Sequence, residues 1–256
     1  MERKLEGKVA VITRAGGGMG REIALTFARN GAKVVICDIN EATINETKEL
    51  IIAEGGVAEA TVTDMGNAED VIALIKKAGD TFGTVDILIN NAGIFDGSVG
   101  AADASLEHWN KVMNVNVTGP VVAIRESLKY MIPQHFGRIV NICSIASICA
   151  TAGGTAYTAS KHAMLGVTRQ LAYQYGKDGI RTNAICPGAV ITGLCPREVI
   201  ENPDEIRKPY VEKLLSVPAG RVGEVEDIAN AALFLCTEES SFMYGQHLVL
   251  DGGWTL

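Results

Sequence analysis

The stretch Lys8-Val9-Ala10-Val11-Ile12-Thr13-Arg14-Ala15-Gly16-Gly17-Gly18-Met19-Gly20 decides the fold. Its first half is a short apolar run rich in β-branched side chains, the composition of a buried strand. Its second half carries Gly16, Gly17, Gly18 and Gly20, where the backbone is left bare. Residues 21–30 follow with Ile23, Ala24, Phe27 and Ala28 at helical spacing, one apolar stripe that ends at Gly31. A second β-rich run then extends from Lys33 to Asp38. Strand, glycine turn, helix and strand in that order make the first unit of a parallel sheet.

Outward from this unit the rhythm repeats. Apolar runs stand at Val57 to Thr63, Val85 to Asn90, Arg138 to Cys143, Ile180 to Cys186 and Gln246 to Leu250, with segments of helical length between them. Most are nearly all apolar rather than alternating, as expected of parallel strands covered on both faces. The predicted fold is α/β, a doubly wound parallel sheet of about seven strands with helices on both faces (Rossmann-like). No linker or internal repeat divides the chain, so residues 1–256 are expected to form a single domain. The exception to the rhythm lies between Cys186 and Gly220, which holds five of the seven prolines. Proline at that density prevents one long helix. Because the segment follows a strand's carboxyl end, where such folds bind ligands, a lid over about residues 188–218 is expected.

Composition excludes several classes of function. The net charge is -7 and no basic cluster appears, which argues against nucleic acid. The six cysteines form no CxxC pair and most lie in apolar runs, the pattern of reduced thiols in a cytoplasmic protein. The four histidines lack ligand spacing, so no metal site is expected. No apolar run reaches membrane-spanning length, and the charged start has no signal-peptide core.

The glycine turn opens a helix, whose N-terminal N–H groups and positive dipole suit a pyrophosphate. Asp38 ends the second strand about 20 residues beyond the first glycines, where a carboxylate can hold ribose hydroxyls. Together they point to a dinucleotide. Further along, Tyr157-Thr158-Ala159-Ser160-Lys161 places a phenol and an ammonium four residues apart, on one face of a helix. Free tyrosine titrates near pH 10, and a nearby ammonium stabilises the phenolate that a proton carrier needs.

On these residues, from Gly7 to Gly253, the chain resembles the short-chain dehydrogenase/reductase family. Its glycine motif reads TGxxxGxG; Thr13, Gly18 and Gly20 are in register, and Arg14 stands where the first glycine belongs. The resemblance implies a dinucleotide site formed by Thr13, Arg14, Gly16, Gly18, Met19, Gly20, Asp38 and Ile39. It extends to Asp64-Met65 over adenine, to Asn91, Ala92 and Gly93 of an NNAG motif, and to Pro187, Gly188, Val190 and Thr192 beside the nicotinamide. It also implies a catalytic set of Asn116, Ser144, Tyr157 and Lys161, the last two touching cofactor as well. Ser144 lies thirteen residues before Tyr157, at the family's spacing. Ser147 and Asn114 are the competing choices for the serine and the asparagine. In the family an acid at position 38 goes with NAD, because a carboxylate repels a 2′-phosphate; Arg14 leaves room for NADP. The side chain of Arg14 has three destinations open to it: the adenosine phosphates, Asp38, or solvent.

The implied reaction is an NAD(H)-dependent interconversion of a secondary alcohol and a ketone. The alternatives are an NADP(H)-dependent carbonyl reductase, an epimerase or dehydratase on the same scaffold, or a non-catalytic relative. Phe95, Ile145, Ala146, Ala150, Gly153, Gly154, Leu194, Cys195 and Tyr210 are expected to line a pocket for a small uncharged substrate. Arg197, Arg207 and Lys208 lie on the same segment and could admit an acidic one. The family's habit implies a homo-oligomer, usually a tetramer.

Overall fold

A computed structural model describes residues 3–150, 152–193, 195–203, 205 and 208–256. Leu194 and Arg207, and the side chain of Tyr210, lie outside the described residues.

The seven apolar runs become seven strands: β1 (Val9–Thr13), β2 (Lys33–Asp38), β3 (Val57–Val62), β4 (Ile87–Asn90), β5 (Gly137–Ile142), β6 (Ile180–Pro187) and β7 (His247–Leu250). They pair in the order β3-β2-β1-β4-β5-β6-β7. Every pairing is parallel. Burial follows position in the sheet. Every residue of β1, β4, β5 and β6 is buried. The edge strands β3 and β7 are largely half-exposed.

The helices are α1 (Gly18–Arg29), α2 (Glu41–Ala53), α3 (Ala68–Phe82), α4 (Leu106–Met113), α5 (Gly119–Met131), α6 (Thr155–Tyr175), α7 (Arg197–Glu201), α8 (Lys208–Leu215) and α9 (Val225–Cys236). The predicted stripe on α1 faces the core: Ile23, Ala24 and Phe27 are fully buried, in one apolar cluster with Ile12, Ile36 and Ile89 on the sheet. A second cluster covers the other face, where Leu74, Ile75 and Ala78 of α3 meet Val11, Val35 and Leu88. Each buried aliphatic side chain of this size contributes roughly 1.5–3 kcal/mol, so both faces carry comparable driving force. The proline-rich segment is broken into α7 and α8, two short helices, as the proline density requires.

What positions the site is the gap between β1 and β4. The chain winds one way from β1 through β2 to β3, then returns to β4 on the other side of β1. At such a switch point the loops leaving the two strands diverge and open a crevice at their carboxyl ends. Thr13 laces the base of the crevice. Its hydroxyl accepts the backbone N–H groups of Asn91 and Ala92 at 3.0 and 2.9 Å.

Candidate active site

Two adjoining cavities occupy the crevice. One, of about 750 Å³, is lined by Gly16, Gly18, Met19, Asn91, Phe95, Cys143, Tyr157, Lys161 and Thr192, among others. The other, of about 990 Å³, is lined by Asp38, Ile39, Asp64, Met65, Ala92 and Asn114 with their neighbours. Arg14, Asp38, Gly93 and Ile94 border both, so the two form one continuous cleft.

The cleft suits an elongated anion. α1 begins at Gly18 with no side-chain cap and no acidic residue in its first turn. Its first N–H groups therefore have no intrahelical acceptor, and its positive end is not neutralised locally. By contrast α2, α3 and α4 each have a capping side chain and an acid in the first turn. Asp38 is fixed beside the turn: Gly16 donates to Oδ2 at 3.0 Å and Asn40 to Oδ1 at 3.1 Å. A pyrophosphate at the head of α1 and a ribose at Asp38 fit these residues.

Arg14 does not pair with Asp38; its side chain is exposed and borders both cavities. It holds a left-handed backbone, with φ of 53°. Its guanidinium donates across the cleft to the Gly93 carbonyl at 3.0 Å. A β-carbon in that conformation carries strain that glycine would not.

At the other end, Tyr157 and Lys161 both face the 750 Å³ cavity. Lys161 is 5% exposed. Its Nζ donates to the Ile142 carbonyl at the end of β5 (3.0 Å) and lies 5.6 Å from the centre of the Tyr157 ring. The Phe95 ring meets the Tyr157 ring edge-on, with centroids 5.2 Å apart. Ser144 follows directly on Cys143, a wall residue, and its hydroxyl accepts the Ala146 N–H at 3.1 Å. Cys143 and Cys186 are free thiols; a hydrogen bond between them, with the Lys161 charge behind it, holds the Cys143 thiol below the ordinary range against the opposing effect of burial. The same bond and burial push Cys186 up.

Asn116 lies in a wide π turn over Asn114–Thr118 between α4 and α5. Its amide is spent on structure: Oδ1 accepts the Ile94 N–H (2.8 Å), and Nδ2 donates to the Ile94 carbonyl and to Ser160 Oγ, both at 3.0 Å. Asn116 thus stands directly behind Gly93 and Lys161. Asn114, its competitor, lines the cavity on the Asp38 side. Ser147, the competitor of Ser144, is buried, with its hydroxyl against the Cys143 and Cys186 thiols.

Several expected residues stand behind the cleft rather than in it. Thr13 is fully buried in the β1–β4 lacing. Gly20 is there for packing, since a β-carbon would run into the Arg14 carbonyl. Pro187 ends β6, and Gly188 donates to Leu250. Val190 lines a separate hollow with Asp227 and Gly252. Of the expected pocket residues, Phe95 lines the cleft. Ile145 and Ala146 are buried, Ala150 is exposed, Cys195 is half-buried, Gly153 packs on the Tyr157 ring and Gly154 on Asp96 and Val99. Arg197 is committed to Glu224 at 2.7 Å, and Lys208 is exposed. Sequence reasoning missed Thr43, Ile94, Gly97 and Gly193 in the wall, and Asp96 behind it. Among the described residues no group of acids, histidines and cysteines could hold a metal, and no helix is long and apolar enough to cross a membrane.

A doubly wound parallel sheet with an uncapped, glycine-led helix at its switch point defines a dinucleotide-binding protein of the α/β class. The comparisons narrow the class to a family. The family model described as enoyl-(acyl carrier protein) reductase matches residues 15–255. An uncharacterized oxidoreductase of Thermotoga maritima is 42% identical over 98% of this chain and 98% of its own. The solved structure of a 7α-hydroxysteroid dehydrogenase with NADH and 7-oxo glycochenodeoxycholic acid is 36% identical, with a TM-score of 0.90 over 98% of this chain and 96% of that one. A Beutenbergia cavernae protein described as an NAD(P)-dependent gluconate 5-dehydrogenase, solved with NADP, is also 36% identical, with a TM-score of 0.89 over 99% of both chains. The chain belongs to the short-chain dehydrogenase/reductase family and is an NAD(P)-dependent oxidoreductase.

Proposed function

We propose that the protein interconverts a small uncharged secondary alcohol and its ketone, with preference for NAD(H) and with Tyr157 as the acid/base. The observation that carries this reading is that Tyr157, Lys161 and the glycine turn open on one cavity. A bound nicotinamide supplies the site for hydride transfer. The chain's own residues manage the proton and the geometry. The Tyr157 phenolic oxygen takes the alcohol proton during oxidation and returns it during reduction. The Lys161 ammonium, buried and bonded to Ile142, places a positive charge 5.6 Å from the Tyr157 ring centre and keeps donors free for a ribose. The Ser144 hydroxyl donates to the substrate oxygen. Asn116 holds the Ile94 backbone and so fixes the wall opposite Lys161.

Asp38 supports NAD(H): both its oxygens are held by backbone N–H groups, so its charge cannot move from a 2′-phosphate. The wall formed by Phe95 with Gly97 and Gly193 supports an apolar substrate, and the commitment of Arg197 to Glu224 weighs against an acidic one. The segment at 188–218 acts as a lid, with Thr192 and Gly193 as its wall. We take the working form to be a single-domain, cytoplasmic tetramer. A screen of secondary alcohols and ketones by NADH absorbance, run with Tyr157→Phe as the blank, tests the reading; turnover that survives in the blank refutes it.

A further inference from the structure

Asp96 belongs neither to the glycine turn nor to the Tyr157–Lys161 pair, yet it is 1% exposed. A carboxylate buried to that degree needs hydrogen-bond partners. Its partners are backbone N–H groups: Ser98 (3.0 Å) and Gly154 (2.9 Å) on Oδ1, and Tyr157 (2.9 Å) on Oδ2. The chain turns back through Gly97 and Ser98, both left-handed at φ of 67° and 60°. Val99 then accepts the Thr155 N–H at 3.0 Å.

These contacts replace a missing cap. α6 begins after Gly154 and has no capping side chain of its own. The N–H groups that start a helix have no intrahelical acceptor. Here those of Gly154, Thr155 and Tyr157 are taken by residues 96–99. Gly154 makes this approach possible, because a β-carbon there would meet Asp96 Oδ2 and both Val99 backbone polar atoms at 2.5 Å. The other end of the same segment is fixed too, by the bonds of Asn116 to Ile94 and by the edge contact of Phe95 with the Tyr157 ring.

We propose that Asp96 is a positioning residue for Tyr157. Its carboxylate clamps the first turn of α6 to the loop leaving β4, and so sets where the phenol stands in the cleft. The inference rests on the acid/base reading of Tyr157. Two charge-assisted bonds to the turn that bears the phenol oppose fraying there. Proton transfer needs the phenol within hydrogen-bond reach of the substrate oxygen, and a misplacement of about 1 Å costs on the order of 100-fold in rate.

Asp96→Asn tests it. The amide keeps one oxygen for Ser98 and Gly154 and turns an NH2 toward the Tyr157 N–H. Expected is a fall in kcat of roughly 10- to 100-fold. NADH affinity, NADH stoichiometry and the substrate KM are expected to stay within about threefold, since no cofactor contact is altered. Wild-type kcat overturns the proposal. So does a lower melting temperature with fewer NADH sites but unchanged kcat per site, the result of a merely structural role. Tyr157→Phe is measured beside it. Turnover in that variant removes the reading beneath the proposal; an inactive Tyr157→Phe with a fully active Asp96→Asn removes the proposal alone. Amide exchange in the wild-type protein keeps the test open if the variant does not fold. The Tyr157 N–H is expected to be strongly protected, and exchange at the rate of a frayed helix start overturns the clamp.

Discussion

The backbone N–H of Gly16 donates to the Asp38 carboxylate at 3.0 Å, so the turn proposed to receive a pyrophosphate and the acid proposed to meet a ribose are one bonded unit. Asp38→Ala breaks that unit and removes the charge. It is expected to lower kcat/KM with NAD by 10-fold or more, from the lost charge-assisted bonds, and to narrow the gap to NADP. Arg14→Gly removes a left-handed side chain and its bond to Gly93 while leaving Asp38 in place. NAD use is expected to persist in it. Specificity constants for both cofactors in the three proteins decide the matter. A wild type that favours NADP and loses that preference with Arg14→Gly assigns the choice to Arg14.

Tyr157 and Lys161 share a cavity, and the proposed reading gives them different duties that the two variants separate. Tyr157→Phe removes one hydroxyl, so turnover is expected to drop by about 10²–10⁴ with NADH affinity near wild type. Lys161→Ala is expected to lower turnover and weaken NADH binding together, because the proposed reading assigns one ammonium to both. Steady-state rates with fluorescence titration of NADH read out both quantities. Unchanged NADH affinity in Lys161→Ala refutes the dual role.

Burial sets the reactivity of the thiols. Cys37 and Cys236 are both pushed up to about 12 by burial, so at pH 8 almost no thiolate is present, and neither sulfur is reachable. Both are expected to resist iodoacetamide in the folded protein and to react in denaturant. Cys149 and Cys195 are half-buried and are expected to label first. Peptide mass spectrometry after timed labelling checks the order; early modification of Cys37 or Cys236 contradicts the packing of β2 or α9.

The strands were legible because most are nearly all apolar, and burial on both faces of a parallel sheet favours that pattern; Glu59 in β3 and Arg181, Thr182 and Asn183 in β6 interrupt it. All seven runs became strands within two residues of the expected ends. The stripe of α1 was legible for the same reason: Ile23, Ala24 and Phe27 repeat at the helical period. Periodicity says nothing about a chain that folds back on a distant element. Nothing in Asp96-Gly97-Ser98 beyond a turn signal shows that the carboxylate reaches α6, 58 to 61 residues away. Gly153 and Gly154 read as small pocket residues for a similar reason, although their space is filled by Tyr157 and by Asp96 with Val99. Asn116 and Arg14 were picked out by register with a motif, but which groups they bond is a property of the tertiary fold.

Thr13 separates two ways in which a motif residue can matter to a cofactor. Its hydroxyl accepts two buried N–H groups, those of Asn91 and Ala92, and donates to the Ile89 carbonyl at 3.3 Å. Thr13→Val keeps the shape and removes the acceptor of the Ala92 N–H, while the Asn91 N–H retains the Ile89 carbonyl at 3.1 Å. An unsatisfied buried donor costs about 1–3 kcal/mol. At roughly 2–4 °C per kcal/mol for a chain of this size, the melting temperature is expected to fall by about 2–12 °C. The crevice should not come apart, because the Asn91 side chain still donates to the Thr13 and Arg14 carbonyls, which the substitution retains. NADH affinity is therefore expected to weaken by less than about tenfold, and Thr13→Ser, which restores the acceptor, to recover most of the melting temperature. Calorimetry and NADH titration on the same samples distinguish this from direct contact. If Thr13→Val melts like wild type but binds NADH far more weakly, the hydroxyl touches the cofactor and the lacing of β1 to β4 is not its role.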